Sequence, residues 1–248
     1  MKSPLTPISI ISVYKNGLGD LLPLPARMAQ CTPDTYTAIM NIAKDLAKKG
    51  GKLILSDLFR SYDMQMQSHL DFISGKKRAF SPPPGGSFHE AGRAFDLDLD
   101  AMKISLADFW VIAAKYAVTP IIKQPKPSVS EAWHFDCRGS HQLVFAYYEN
   151  RKGNNFKPYT AAAASAILSV GVHVDAFGPN QQQAALQSCL IRLGKEIGNI
   201  DGNIGRKTQT ALEELGVVFD LNDINSMLIQ AENMVQQKFS KEFAMPPP

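Results

Sequence analysis

Charge of one sign never accumulates in this chain. No run of five basic residues occurs and the net charge is only +3, so nothing points to nucleic acid as a partner. Cysteine is scarce: Cys31, Cys137 and Cys189 lie far apart with no CxxC pair, which excludes a disulfide framework and a thiolate zinc site. At least one of them stays unpaired within a monomer. No apolar stretch approaches the ~20 residues of a membrane span. The opening "MKSPLTPISIISV" carries one lysine, a proline-interrupted apolar run and no small-residue cleavage site, and reads as a poor secretory signal.

What the chain does have is bulk. Its 248 residues, 45% apolar and 20% charged, are enough for one large globular domain or two modest ones. "CTPDTYTAIMNIAKDLAKKGGK" predicts a helix, with start signals at Thr32, Pro33 and Asp34, apolar spacing through Ile39, Ile42 and Leu46, and a stop at Gly50-Gly51. "KLILSD" reads as a short buried strand, and "SYDMQMQSHLDFIS" as a helix capped by Ser61. "GKKRAFSPPPGGS" is a loop on composition. A helix from Ser105 to Ala117, a strand "TPIIK", a proline-broken loop "QPKPSVS" and a strand "EAWHFD" follow. Without a regular βαβ rhythm, residues 1–155 predict an α+β domain on a small, mostly antiparallel sheet with flanking helices.

Past "NRKGNNFKPYT" the stretch "AAAASAILSV" is alanine-rich and helix-prone, and residues 156–171 read as a linker. Residues 172–248 predict a small all-α, three-helix domain. "AALQSCLIRLG" and "RKTQTALEELG" are its first helices, joined by the glycine turn "IDGNIG"; residues 220–243 form a final amphipathic helix, and "AMPPP" is a tail.

"SFHEAGRAFDLDLD", residues 87–100, is the informative stretch. Its alternation reads as a strand with Phe95, Leu97 and Leu99 toward a core and Asp96, Asp98 and Asp100 toward water. That leaves His89 and Gly92 unexplained. Two imidazoles and a carboxylate, His89, His134 and Asp96, form a candidate metal set of the type that leaves a fourth zinc position open for water. Gly92 permits the tight approach that lets His89 fold back. Glu131 stands three residues before His134, but on a regular strand it would point the other way, so it needs a bend if both reach one metal. HExxH is absent, since Arg93 stands where its second histidine belongs. His69, His141 and His173 have no comparable neighbours and read as core or surface residues. Asp98 and Asp136 read either as supports of the ligands or as solvated strand positions. Trp133, Phe135 and Cys137 read as core.

"SFHEAGRAFDLDLD" together with "EAWHF" resembles the paired signature of the zinc D,D-peptidases of the VanY and D-Ala-D-Ala carboxypeptidase type, and "SDLFRSYDMQ" resembles the arginine-serine segment that accompanies it. The resemblance covers residues from about 55 to 140. It implies Zn2+ held by His89, Asp96 and His134, Glu131 as the catalytic carboxylate and Arg60 as the cationic stabiliser. Residues 175–216 resemble the small peptidoglycan-binding module appended to cell-wall hydrolases, although "EEL" replaces the usual Phe-Gln at the end of its second helix.

The expectation is a zinc-dependent peptidase of the D-Ala-D-Ala carboxypeptidase type, acting on peptidoglycan stem peptides at the cell wall. The alternatives are an L-Ala-D-Glu or crosslink endopeptidase of the endolysin kind, a non-catalytic wall-binding protein, and a cytoplasmic dipeptidase. A carboxypeptidase also needs a cation for the substrate carboxylate, for which Lys123, Lys126 and Arg138 are the candidates. The sequence leaves the export route and oligomeric state open.

Overall fold

The computed structural model describes residues 2–245; Met1 and Pro246–Pro248 of the expected tail lie outside the described residues. Two short strands, β1 (Thr6–Pro7) and β4 (Gln30–Cys31), pair on their own. The main sheet has six strands: β2 (Ile11–Lys15), β3 (Leu21–Pro23), β5 (Leu55–Asp57), β6 (Ala94–Leu97), β7 (Thr119–Pro120) and β8 (His134–Asp136). Their order is β3-β2-β5-β6-β8-β7, and only the β2–β5 pairing is parallel. The class is α+β, with a mostly antiparallel sheet as expected.

Helix α1 (Pro33–Ala47) starts on an extended Thr32 with proline at its first turn, and buries Ile39, Ile42 and Leu46. α2 (Tyr62–Ile73) is capped by the Ser61 hydroxyl, which accepts from the Met64 amide at 3.3 Å. Ser105 caps α3 (Leu106–Ala114) in the same way, at 3.1 Å from the Asp108 amide. α1 and α3 pack on the sheet around Leu55, Phe95, Phe109 and Phe135, whose rings meet face to face and edge to face.

The rest is helical: α4 (His141–Glu149), α5 (Pro158–Ser169), α6 (Gln181–Arg192), α7 (Arg206–Glu213) and α8 (Ile224–Lys238). Residues 158–169, within the stretch read as a linker, thus form α5, with Ala161 to Leu168 all buried. Alanine's small side chain suits such close helix contact, and α4 and α5 lie against each other. This second core also takes in Phe88, Ala91 and Ala94 from the sheet side. The sheet and the helical part therefore meet along a seam that includes the β6 end of the sheet and α5.

A buried ion network ties the two parts together. Arg93, without solvent exposure, pairs with Asp34 of α1 at 2.7 Å and with Glu242 at 3.2 Å. Glu242 also accepts from Arg192 at 2.8 Å and from the Ser140 amide and hydroxyl at 2.5 and 3.1 Å. Two guanidinium groups and two carboxylates balance, which is the condition for holding such charges out of water. The three cysteines are buried free thiols. No helix among the described residues is long and apolar enough to cross a membrane.

Three expected strands are shorter than read. In residues 87–100 only Ala94–Leu97 is strand; Phe88–Ala91 is a 3-10 turn, and the Asp98 carboxylate accepts from the Asp100 amide at 3.0 Å, turning the chain out of the sheet. "EAWHFD" is strand only from His134, and "TPIIK" only over Thr119–Pro120. Proline at the second position of the latter ends the ladder by lacking an amide donor.

Candidate metal centre

The central strands place the site. The register sets Asp96 of β6 opposite Asp57 of β5 on one side and opposite His134 of β8 on the other. Just beyond β5, the chain grips the turn that carries His89: the Arg60 amide donates to the His89 carbonyl at 3.1 Å, and His89 Nδ1 meets the Leu58 carbonyl at 2.7 Å. That turn is fixed by a capping box. The Ser87 hydroxyl accepts from the His89 amide, while the buried Glu90 carboxylate accepts from the Ser87 and Gly85 amides. Burial pushes the Glu90 carboxyl up to about 7, against the pull of those amides. Gly92 ends the turn at φ +61°, where a Cβ would lie 2.8 Å from the Cys31 Cα. Only glycine fits both the conformation and the approach.

His89, Asp96 and His134 converge in the interior. Asp96, expected to face water, is 8% exposed, because His89, His134 and Arg60 close around its carboxylate. His89 Nε2 lies 3.2 Å from His134 Nδ1 and 3.4 Å from Asp96 Oδ1, which is 2.9 Å from His134 Nδ1.

Hydrogen bonding to the far ring atoms decides what these near atoms are. Leu58 carbonyl can only accept, so His89 Nδ1 carries the proton and Nε2 the lone pair. Asp136 Oδ1 accepts from His134 Nε2 at 2.9 Å, which leaves Nδ1 with the lone pair. Three acceptors thus face one another, an arrangement that demands a cation or a proton between them. A tetrahedral zinc with ligands at ~2.0–2.1 Å sets neighbouring donor atoms roughly 3.3 Å apart, so the observed spacings fit that ion.

The titration behaviour has the same cause. Burial alone would raise the Asp96 carboxyl, but the His89 and His134 rings hold it well below the usual carboxylate range. Burial likewise opposes a proton on His134, yet its hydrogen bonds to Asp136 and Asp96 push the ring up to about 10.

Glu131 occupies the bend that the face argument requires. It has φ +69°, its carbonyl accepts from the His134 amide at 3.1 Å, and the strand begins after it. A non-glycine residue held there stores strain of about 1–3 kcal/mol, a pattern concentrated at functional sites. Its Oε1 is buried without a hydrogen-bond partner among the described residues. Burial raises its carboxyl, as does Asp96, against His134 and Lys77.

Arg60 is buried beside this group and clamped. Its Nε and one terminal nitrogen each lie 2.6 Å from Asp57 Oδ2, and another donates to Gln65 Oε1 at 3.1 Å. The same guanidinium reaches Asp96 Oδ2 at 3.6 Å. Asp57 and Asp96 raise its proton affinity against burial.

The site opens into a cleft of about 620 Å³. One wall carries Arg60, Lys77, Glu131 and Trp133; the other, from the helical part, carries Lys157 and Tyr159. Trp133 thus lines the cleft instead of the core behind the ligands, since it precedes β8 in the turn and escapes its alternation. Phe135 and Cys137 are core, as expected. Asp98 is a turn residue, whereas Asp136 supports His134 and also takes the Tyr159 hydroxyl at 3.2 Å and Arg138 at 3.2 Å. His141 is buried against Ser165, His69 meets the Ser81 carbonyl, and His173 is exposed beside Asp175, all away from the ligands.

Sequence reasoning missed Asp57, Gln65, Lys77 and Tyr159. Gln65 had one legible signal, being a polar residue on the inward face of α2, where it is fully buried and also donates to Ser81 and to the Pro82 carbonyl. Lys77 and Tyr159 had none, because they meet the site only through the tertiary fold.

No family model matches the chain, and neither does any curated protein. Solved structures resemble part of it. The LdcB LD-carboxypeptidase, whose structure concerns peptidoglycan recognition, aligns with TM-score 0.41 and 17% identity over 54% of this chain and 68% of that one. The L,D-carboxypeptidase DacB from Streptococcus pneumonia aligns with TM-score 0.34 and 20% identity over 54% of this chain and 85% of that one.

Proposed function

We propose that the chain is a zinc-dependent peptidase of the D-Ala-D-Ala carboxypeptidase type that hydrolyses peptidoglycan stem peptides at the cell wall. The observation that carries this reading is the inward-facing trio of His89, Asp96 and His134 lone pairs, beside a half-buried Glu131 whose Oε1 has no hydrogen-bond partner among the described residues and a clamped Arg60. A structural metal site needs neither of those two neighbours, which argues against a purely wall-binding protein.

His89, Asp96 and His134 hold the metal. When bound, zinc supplies a Lewis acid that polarises the scissile carbonyl and lowers the pKa of water toward ~7. Glu131, its proton affinity raised by burial, takes the proton of the attacking water and passes it to the leaving amine. Arg60 stays charged and faces the negative charge that develops on the carbonyl oxygen. Asp57 and Gln65 keep that guanidinium from swinging away. Asp136 holds the His134 tautomer. The helical residues 172–248 are proposed as the wall-binding domain, raising the local concentration of an insoluble substrate.

The test is mass spectrometry of muropeptides after incubation with zinc-loaded protein, with a chelated control. Chelator-sensitive loss of the terminal D-alanine from a D-Ala-D-Ala stem supports the reading. A cut inside the stem would make the chain an endopeptidase. Glu131→Gln should keep zinc and lose turnover by at least about 100-fold, the scale of a general acid–base group; retained hydrolysis would remove Glu131 from the mechanism.

A further inference from the structure

The cleft needs a cation for a carboxylate ligand, and the structure narrows the choice. Lys123 and Lys126 are exposed on the loop before β8 and do not line the cleft. Arg138 is bound to Asp136 at 3.2 Å by two of its nitrogens and lies over the Phe145 ring at 4.4 Å. Arg60 is divided between Asp57, Gln65 and Asp96. Two lysines remain on the walls, Lys77 and Lys157.

Lys77 differs from Lys157 in being half-buried, whereas Lys157 is exposed at the start of α5. The Lys77 ammonium donates to the Ser68 hydroxyl at 2.9 Å, and no carboxylate lies within 4.0 Å of it among the described residues. An ammonium has three protons, so two stay available to a ligand. Its loop is pinned, because the Lys77 amide donates to the Asp71 carbonyl at 2.9 Å and the neighbouring Pro82 carbonyl is held by Gln65. Burial and Arg60 lower its proton affinity, while Asp96, Glu131 and Asp57 restore part of it, so its charge is felt at the metal centre. A partly desolvated cation without a counter-ion, on the wall beside Glu131 and Arg60, is an anion site in waiting.

We propose that Lys77 binds the free carboxylate at the end of the substrate peptide, and so directs cutting to the terminal bond. This rests on the peptidase reading above. Lys77 shares the cleft with Arg60 and Glu131, and a peptide whose end is blocked loses its anchor there.

Calorimetry separates this from turnover. The zinc-loaded Glu131→Gln protein is titrated with the dipeptide D-alanyl-D-alanine and with its C-terminal amide. The carboxylate form should bind at least about tenfold more tightly, as a charge-assisted contact requires. Adding Lys77→Met should erase that preference, and adding Lys157→Met should leave it. The proposal is overturned if the Lys77→Met protein keeps the preference, if Lys157→Met erases it, or if neither dipeptide binds. Should the preference follow Lys77 while the unmutated protein releases no product from any muropeptide, the carboxylate site stands and the peptidase reading fails.

Discussion

Replacing Asp136 by asparagine removes one charge and almost no volume, and its consequence is computable from the contacts. In the native protein the Asp136 carboxylate takes His134 Nε2 at 2.9 Å and Tyr159 at 3.2 Å on one oxygen, and Arg138 at 3.2 Å on the other. An asparagine still accepts from His134 through its carbonyl, but its amide then faces the Arg138 guanidinium, donor against donor. The ring bond changes from charge-assisted to neutral, a difference of about 1–1.5 kcal/mol. This corresponds to roughly tenfold weaker zinc binding, at the lower end of what removal of such outer partners costs. The assay is competition for zinc against a chromophoric chelator, run beside urea unfolding of the metal-free protein to show that Asp136→Asn is folded. Equal zinc affinity in the folded variant would refute the claim that the negative charge of Asp136 strengthens His134 as a ligand.

Without metal, stability should depend on pH through the ligands themselves. His134 is raised to about 10, so its contribution is full below its unfolded value of ~6.5 and is lost as pH climbs toward 10. Asp96 is depressed, so its contribution is present above ~3.9 and is lost as pH falls through its lower folded value. The Tm of chelated protein should therefore fall on going from neutral to alkaline pH, while zinc stabilisation grows over the same range, because metal binding displaces the proton. Parallel Tm curves with and without zinc would contradict the shared site. Glu242→Ala should cost about 3–5 kcal/mol in urea unfolding, since it strands Arg192 and leaves Arg93 with Asp34 alone; a loss below ~1 kcal/mol would mean that the network is not a unit.

The sequence carried the converging trio but not its setting. Residue type and order singled out His89, Asp96 and His134, because two imidazoles and a carboxylate around a glycine kink make sense only together. Alternation in residues 94–100 reads the aspartates as facing water, and for Asp98 and Asp100 the outward turn agrees. Asp96 shares their pattern yet is buried, because a period of two identifies a face and says nothing about what covers it. Glu131 could be placed only conditionally: the strand rule turns it away, and its left-handed φ, which turns it back, has no sequence signature in a glutamate. The alanine-rich stretch 161–166 read as helix-prone from composition, but its burial between helices depends on partners remote in the chain. The same distance hid Lys77 and Tyr159, and made Arg138 a plausible substrate cation until its partner Asp136 was seen.

The Glu242 network also orders events in time. Synthesis delivers α1, β6 and β8 long before residue 242, so for most of translation the Arg93 guanidinium has Asp34 alone and Arg192 has no carboxylate at all. A fully desolvated guanidinium is not retained under those terms, so the complete burial of Arg93 and Arg192 waits for Glu242. Closing that loop is a long-range contact of the kind that slows folding. The joint between the sheet and the helical part is thus completed only once residue 242 is in place.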